Sequence, residues 1–142
     1  MTLGEAIDRV DRLRYNAFSR EEKTQWLARL EWMLKRNILD THEGGIPFRE
    51  PEEDAPLTAP EGFEGLYLSW LEAQIDLHSG ELERYNASIS LFNTEYAAFE
   101  SWYNRSYPPK GAGRFLWEGE HKGCSDKLVF ECFRHAHCRV RA

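Results

Sequence analysis

Four residues of the types that bind zinc lie within seven positions near the C-terminus. They are Cys132, His135, His137 and Cys138, and His121 and Cys124 precede them. Cysteine thiolates and histidine imidazoles are the ligands that structural zinc prefers, so this segment could hold a metal ion. Structural zinc sites usually have two short ligand pairs separated by about a dozen residues, whereas these four form one cluster. The spacing therefore favours an accidental cluster, and we expect no metal and no other cofactor.

Two further groupings have the residue types of acid–base chemistry. His42 and Glu43 are adjacent, but neither the second histidine of a zinc helix nor a nucleophile accompanies them. Glu72 and Asp76 are four positions apart, which places both carboxylates on one face of a helix, and a solvated helix face is the simpler interpretation. Because no set of nucleophile, base and oxyanion donors can be assembled, we expect that the protein is not an enzyme.

Charge is distributed unevenly along the 142-residue chain, whose formal net charge is −6. Residues 1–104 hold 10 basic and 20 acidic side chains, whereas residues 105–142 hold 8 basic and 4 acidic ones. An acidic body is repelled by nucleic-acid phosphates, so we do not expect it to bind DNA generically. The sequence has neither an apolar run of about 18 residues nor a secretion signal, which predicts no membrane span and a cytoplasmic protein.

Capping-box patterns mark the starts of two predicted helices. Thr2 is followed three residues later by Glu5, and an apolar residue recurs at helical spacing over about residues 3–14. Ser19 and Glu22 repeat the pattern before a second apolar face, which predicts a helix over about residues 20–38.

The next segment differs in character. Residues 40–59 contain three prolines and a run of acidic side chains, which predicts a long acidic surface loop, either a contact element or a solvated linker. Pro60 is placed to open a third helix that ends at Gly80, and a fourth helix is predicted over about residues 81–106.

Apolar residues of the fourth helix recur at alternating spacings of three and four, the pattern of a heptad seam. They are Leu82, Tyr85, Ile89, Phe92, Tyr96, Phe99 and Tyr103. A helix of this length spans roughly 39 Å against ~27 Å for the third helix, so one end must overhang its partner. The aromatic stripe is either intramolecular core or a subunit interface at the overhang, since aromatic residues are enriched at interface cores. The predicted interface residues are Tyr96, Phe99, Trp102 and Tyr103.

These patterns predict an all-α fold. Its form would be an antiparallel helical bundle of about four helices with a long C-terminal helix, a long acidic loop and an extended C-terminal tail. The helical domain would cover residues 1–107, and residues 108–142 would form a basic tail or arm.

Several segments of the chain resemble small proteins encoded in tailed-phage and prophage structural gene clusters. The segments are 1–11 (MTLGEAIDRVD), 26–30 (WLARL), 38–44 (ILDTHEG), 67–76 (YLSWLEAQID), 80–81 (GE), 84–86 (RYN), 92–94 (FNT) and 108–111 (PPKG). The resemblance covers about residues 1–116, and the sequence departs from it after Trp117. In such clusters, a short acidic helical protein encoded after the capsid gene resembles a head-to-tail connector, also called an adaptor or head-completion protein.

The resemblance implies a virion structural protein of the neck region, assembled in the cytoplasm of the bacterial host. Its subunits would form a ring on the portal protein, usually of twelve copies, that helps to seal the DNA-filled head and to attach the tail. Its partners would be the portal, neighbouring copies, a tail or stopper protein, and passing DNA without sequence-specific contact, with no membrane. Loop 40–59 would reach a neighbouring subunit. The resemblance implies no catalytic residue and no cofactor.

Connectors of this kind often dock a C-terminal tail onto the portal, and the basic, aromatic stretch after the fourth helix is the predicted contact. Its residues are Arg105, Tyr107, Lys110, Arg114, Phe115 and Trp117. The alternative from another class is a small cytosolic binding or regulatory module with a zinc-binding C-terminal tail.

Overall fold

The computed structural model describes residues 1–111 and contains four α-helices. They are α1 (Leu3–Leu13), α2 (Arg20–Asn37), α3 (Glu64–Ser79) and α4 (Leu82–Ser106), and one turn of 3-10 helix (Leu39–Thr41) follows α2. Helix accounts for 66% of residues 1–111. Two isolated β-bridges, Thr2–Pro56 and His42–Pro109, also occur there, but neither extends into a strand. The predicted all-α fold is confirmed at this level.

Both predicted capping boxes are present. The Thr2 hydroxyl accepts from the amide of Glu5, whose side chain accepts from the amide of Thr2, and Ser19 and Glu22 form the same pair of bonds. Each box satisfies backbone donors that the first turn of a helix leaves without partners. The first two helices accordingly begin where the sequence predicts.

The start of α3 was predicted wrongly, because Pro60 opens a turn rather than the helix. The amide of Phe63 donates to the carbonyl of Pro60, and Gly62 has a φ of +100°, which no right-handed helix accepts. The helix therefore begins at Glu64. Its end agrees with the prediction, since Gly80 is in the left-handed conformation with a φ of +77°.

Helices α3 and α4 pack as an antiparallel hairpin. Phe63 contacts Phe99 with ring centroids 5.2 Å apart, Trp70 contacts Phe92 at 4.9 Å, and at the other end the Ser88 hydroxyl donates to Asp76. Helices α1 and α2 pack against α3 and against each other. The buried apolar side chains of all four helices form one core.

The loop between Thr41 and Glu64 is not a wholly solvated element. Leu57 and Thr58 are buried, and the amide of Leu57 donates to the carbonyl of Met1. The buried carboxylate of Glu31 accepts hydrogen bonds from both the amide and the hydroxyl of Thr58. The prediction of a surface loop is therefore wrong at Leu57 and Thr58, which pack on their own chain because polar partners there replace water. Glu52, Glu53 and Asp54, earlier in the loop, are exposed as predicted.

Residues 1–110 form one compact unit, which extends three residues past the predicted domain boundary at residue 107. None of the helices within residues 1–111 is both long enough and apolar enough to cross a membrane.

Candidate partner-binding surface at the chain exit

Aromatic side chains interlock at the C-terminal end of α4. Phe99 and Tyr103 are fully buried, with ring centroids 5.9 Å apart. Trp102 is half-buried, and its ring centroid lies 5.2 Å from that of Phe63 and 6.2 Å from that of Tyr107. Large aromatic groups contribute much apolar burial and pack in defined geometries, so these contacts stabilise this end of the domain.

Tyr103 joins this cluster to the loop after α2. Its hydroxyl accepts a hydrogen bond of 3.2 Å from the amide of Ile46, and its ring meets the ring of His42 edge-on at 5.1 Å. Burial raises the pKa of Tyr103, although the hydrogen bond from Ile46 acts in the opposite direction. A side chain on Gly45 would overlap the hydroxyl of Tyr103, so this contact requires glycine there.

The residues that follow α4 are held against this loop by backbone hydrogen bonds. The amide of Glu43 donates to the carbonyl of Pro108 at 2.9 Å, and the amide of Lys110 donates to the carbonyl of Thr41 at 2.9 Å. Tyr107 packs on Tyr103 with ring centroids 4.7 Å apart. We call residues 107–110, held in this way, the chain exit. The exit fixes where the basic C-terminal segment begins.

The four predicted interface residues have different environments. Phe99 and Tyr103 lie inside the chain, as the core interpretation of the stripe required, and the overhanging turns of α4 are covered by the loop at Gly45 and Ile46. Tyr96 and Trp102 are half-buried and keep accessible surface. Of the four predicted interface residues, only Tyr96 and Trp102 therefore keep surface that is not covered by their own chain.

The predicted portal contact is described only in its first half. Arg105 and Lys110 are exposed, and Tyr107 is half-buried between them. Arg114, Phe115 and Trp117 lie outside the described residues, as do the six candidate zinc ligands of the C-terminal region. In residues 1–111, no group of three or more potential ligands could hold a metal ion.

The carboxylates of Glu72 and Asp76 are engaged in contacts within the fold. Arg14 forms ion pairs with both, at 3.3 Å from Glu72, and the hydroxyl of Ser88 donates to Asp76 at 2.7 Å. An open cleft of about 400 Å³ lies beside Arg14 and Asp76 and is lined also by Tyr15. With both oxygens of Asp76 occupied, this pair serves to join α1, α3 and α4.

Sequence patterns did not reveal the hydrogen bonds that hold the chain exit. They involve backbone groups of Thr41, Glu43, Pro108 and Lys110, which carry no apolar periodicity. The one available signal was the Pro108–Pro109 pair, since a residue before proline favours extended backbone of the kind that forms a bridge.

Comparisons of the chain with protein-family models, with curated proteins and with solved structures found no match.

Proposed function

We propose that this protein is a head-to-tail connector subunit of a tailed phage or prophage, a structural component of the virion neck without enzymatic activity. Copies of it would form a ring on the portal protein, of twelve subunits if it follows the portal, and would help to seal the DNA-filled head and to attach the tail. The resemblance over residues 1–116 supports this function. We also propose that the four helices are arranged antiparallel to one another.

The observation that carries the proposal is the chain exit. Two backbone hydrogen bonds and the packing of Tyr107 fix the point from which a basic segment leaves an acidic, helical unit. A docking tail benefits from such an anchor, because a fixed starting point reduces the entropy lost when the tail binds. Arg105, two residues before the exit, and Lys110, its last residue, are both exposed and would extend the contact with an acidic portal surface.

The acidic body supports a second part of the proposal. DNA must pass through a connector ring without being held by it, and residues 1–104 carry twice as many acidic as basic side chains. Phosphates are repelled by such a surface. We propose contact with passing DNA that is transient and independent of its sequence, assembly in the cytoplasm of the bacterial host, and a tail or stopper protein on the far side of the ring.

Cosedimentation with the portal protein encoded in the same gene cluster tests the proposal. Wild-type protein should pellet with portal rings, and Arg105→Gln/Lys110→Gln/Arg114→Gln should weaken binding, more so at low salt, because the lost contacts are electrostatic. The matched control Arg9→Gln/Arg12→Gln/Arg84→Gln removes the same charge from exposed residues elsewhere on the helical unit and should retain portal binding. Equal loss in both triple variants, or no binding by wild type, would contradict the proposal.

A further inference from the structure

Basic side chains of the helical unit divide into two groups. Six of the ten basic residues in residues 1–104 form side-chain ion pairs. Arg12, Arg29, Arg36 and Arg49 do not, within the described residues, and all four are exposed. Because acidic residues outnumber basic ones two to one in this unit, an acidic partner would be expected for each basic side chain, and these four arginines depart from that expectation.

Two of these four arginines lie beside one exposed tryptophan on α2, and a third, Arg49, follows in the sequence a residue that packs on that tryptophan. Trp32 is 50% exposed on α2, and Arg29 and Arg36 are three positions before it and four after it, on the same helix face. Phe48 from the loop packs on Trp32 with ring centroids 4.7 Å apart, and Arg49 is the next residue. Lys35 completes the group, with its ammonium 5.8 Å from the Trp32 ring and 5.6 Å from the Phe48 ring. We call these six residues the α2 patch.

The composition of the α2 patch is that of a protein interface. Tryptophan and arginine are enriched among the residues that dominate the binding energy of measured interfaces. Tyr96, one of the predicted interface residues, contacts the end of α2. Its hydroxyl accepts a hydrogen bond of 3.4 Å from the side-chain amide of Asn37, the residue after Arg36.

The same chain displays an acidic segment that complements the α2 patch. Glu52 and Asp54 are exposed and form no side-chain ion pair within the described residues. The intervening Glu53 pairs with Arg20 at the start of α2. Arg20 lies nine residues before Arg29 and sixteen before Arg36, about 14 Å and about 24 Å along the axis of α2. Within the described residues, neither Glu52 nor Asp54 forms an ion pair with the patch of its own chain, although Arg49 is only three residues before Glu52.

We infer that the α2 patch binds the acidic segment around Glu52 and Asp54 of a second copy of this chain. A nucleic acid carries negative charge along its whole length and is disfavoured by a chain of net charge −6. A second copy is repelled by the same net charge, but it places carboxylates directly on the arginines, where local attraction opposes that repulsion. This inference rests on the proposed function in one respect, that the contact would join neighbouring subunits of the ring. It uses one helix face and one loop, a small area that implies weak, concentration-dependent association.

Sedimentation equilibrium of the full chain, without portal, tests this inference. In about 50 mM salt the average mass should rise above 16.6 kDa with protein concentration and return to it in about 500 mM salt, where charges are screened within a few ångströms. Arg29→Glu/Arg36→Glu and Glu52→Lys/Asp54→Lys should each remain monomeric alone. Their equimolar mixture should associate, because each supplies the charge that the other lacks. Trp32→Ala should also lose association, and Arg12→Glu, outside the patch, should keep it.

Three results would overturn the inference. They are a wild-type mass of 16.6 kDa at every concentration in low salt, association that survives both double variants, and patch-dependent binding of labelled single-stranded DNA by a chain that stays monomeric. Failure of the connector proposal is separable, since it is measured as loss of portal cosedimentation. A chain that self-associates through the patch but ignores the portal would retain this inference and reject the proposed function.

Discussion

Gly45 and the side chain of Tyr103 are in direct contact beside the chain exit. The Tyr103 hydroxyl lies 3.2 Å from the amide nitrogen of Ile46, and a Cβ on Gly45 would overlap that hydroxyl and lie 2.7 Å from ring atom Cζ. One absent methyl group thus allows the most C-terminal buried tyrosine of α4 to reach the loop that holds the chain exit.

Gly45→Ala should therefore lower the free energy of unfolding by about 1–3 kcal/mol, the usual cost of overpacking a well-packed site. Thermal unfolding would measure this as a fall of several degrees. The same substitution should cost less in a Tyr103→Phe background, where the clashing hydroxyl is gone. Gly44→Ala is the matched control, since it meets no atom within 4 Å and its cost comes from a φ of +65° alone. Wild-type stability in Gly45→Ala would contradict the packing described.

Two buried tyrosines should make the fold sensitive to alkaline pH. Burial, and for Tyr67 also the nearby carboxylate of Glu31, raises the pKa of Tyr67 and of Tyr103. The folded state then holds these protons more tightly than the unfolded state. The stability they contribute is fully present below the unfolded pKa, near 10, and is lost as pH rises towards the folded pKa.

Urea unfolding at several pH values between about 9 and 11.5 measures this effect. Wild-type stability should fall with pH, and Tyr67→Phe/Tyr103→Phe should show a shallower fall from a lower starting value. Tyr15→Phe changes a fully exposed side chain and should keep the wild-type slope. Identical slopes in the wild type and the double variant would show that the buried hydroxyls do not set the alkaline limit.

Arg14 should be important for the joint between α1, α3 and α4. Arg14→Met leaves the carboxylate of Asp76, whose side chain is 3% exposed, without its cation. Removing one partner of a buried pair is costly, and because Arg14 is partly exposed we expect a loss of about 2 kcal/mol in chemical denaturation. Arg9→Met breaks the more exposed pair with Glu64 and should change stability by less than about 1 kcal/mol. Similar losses in the two variants would refute the distinction.

Thr58 should hold the second half of the loop through Glu31. Thr58→Val removes one of the two donors to a buried carboxylate, at an expected cost of about 1–3 kcal/mol. Hydrogen exchange of the Leu57 amide, which donates to Met1, should accelerate in this variant. Thr94→Val alters an exposed threonine within α4 and should leave that amide as protected as in the wild type. Unchanged exchange in Thr58→Val would mean that the loop is held by other contacts.

The sequence predicted those features that depend on neighbours within a few positions. The bonds between Thr2 and Glu5 and the left-handed Gly80 are both local, and each is present. The predicted seam of α4 is buried at Phe92, Phe99 and Tyr103 but not at Leu82, which is 64% exposed. The start of α3 was missed because proline suits both a first helical turn and a β-turn, and only the conformation of Gly62 distinguishes them here.

Long-range contacts explain what the sequence did not reveal. The sequence predicted a surface loop, either a contact element or a solvated linker, because composition cannot indicate that Thr58 meets a carboxylate 27 residues earlier. Apolar periodicity placed Phe99 and Tyr103 on one face of α4 but does not distinguish burial inside a chain from burial between chains. The loop at Gly45, distant in sequence, covers that face.

Electron microscopy of portal rings incubated with the full chain tests the proposed connector role most directly. We expect added density as a collar at one end of the portal, with the symmetry of the portal ring, and loss of that collar when residues 112–142 are deleted while residues 1–111 remain folded by circular dichroism. Portal rings without added density at every protein concentration tested would contradict the proposed role.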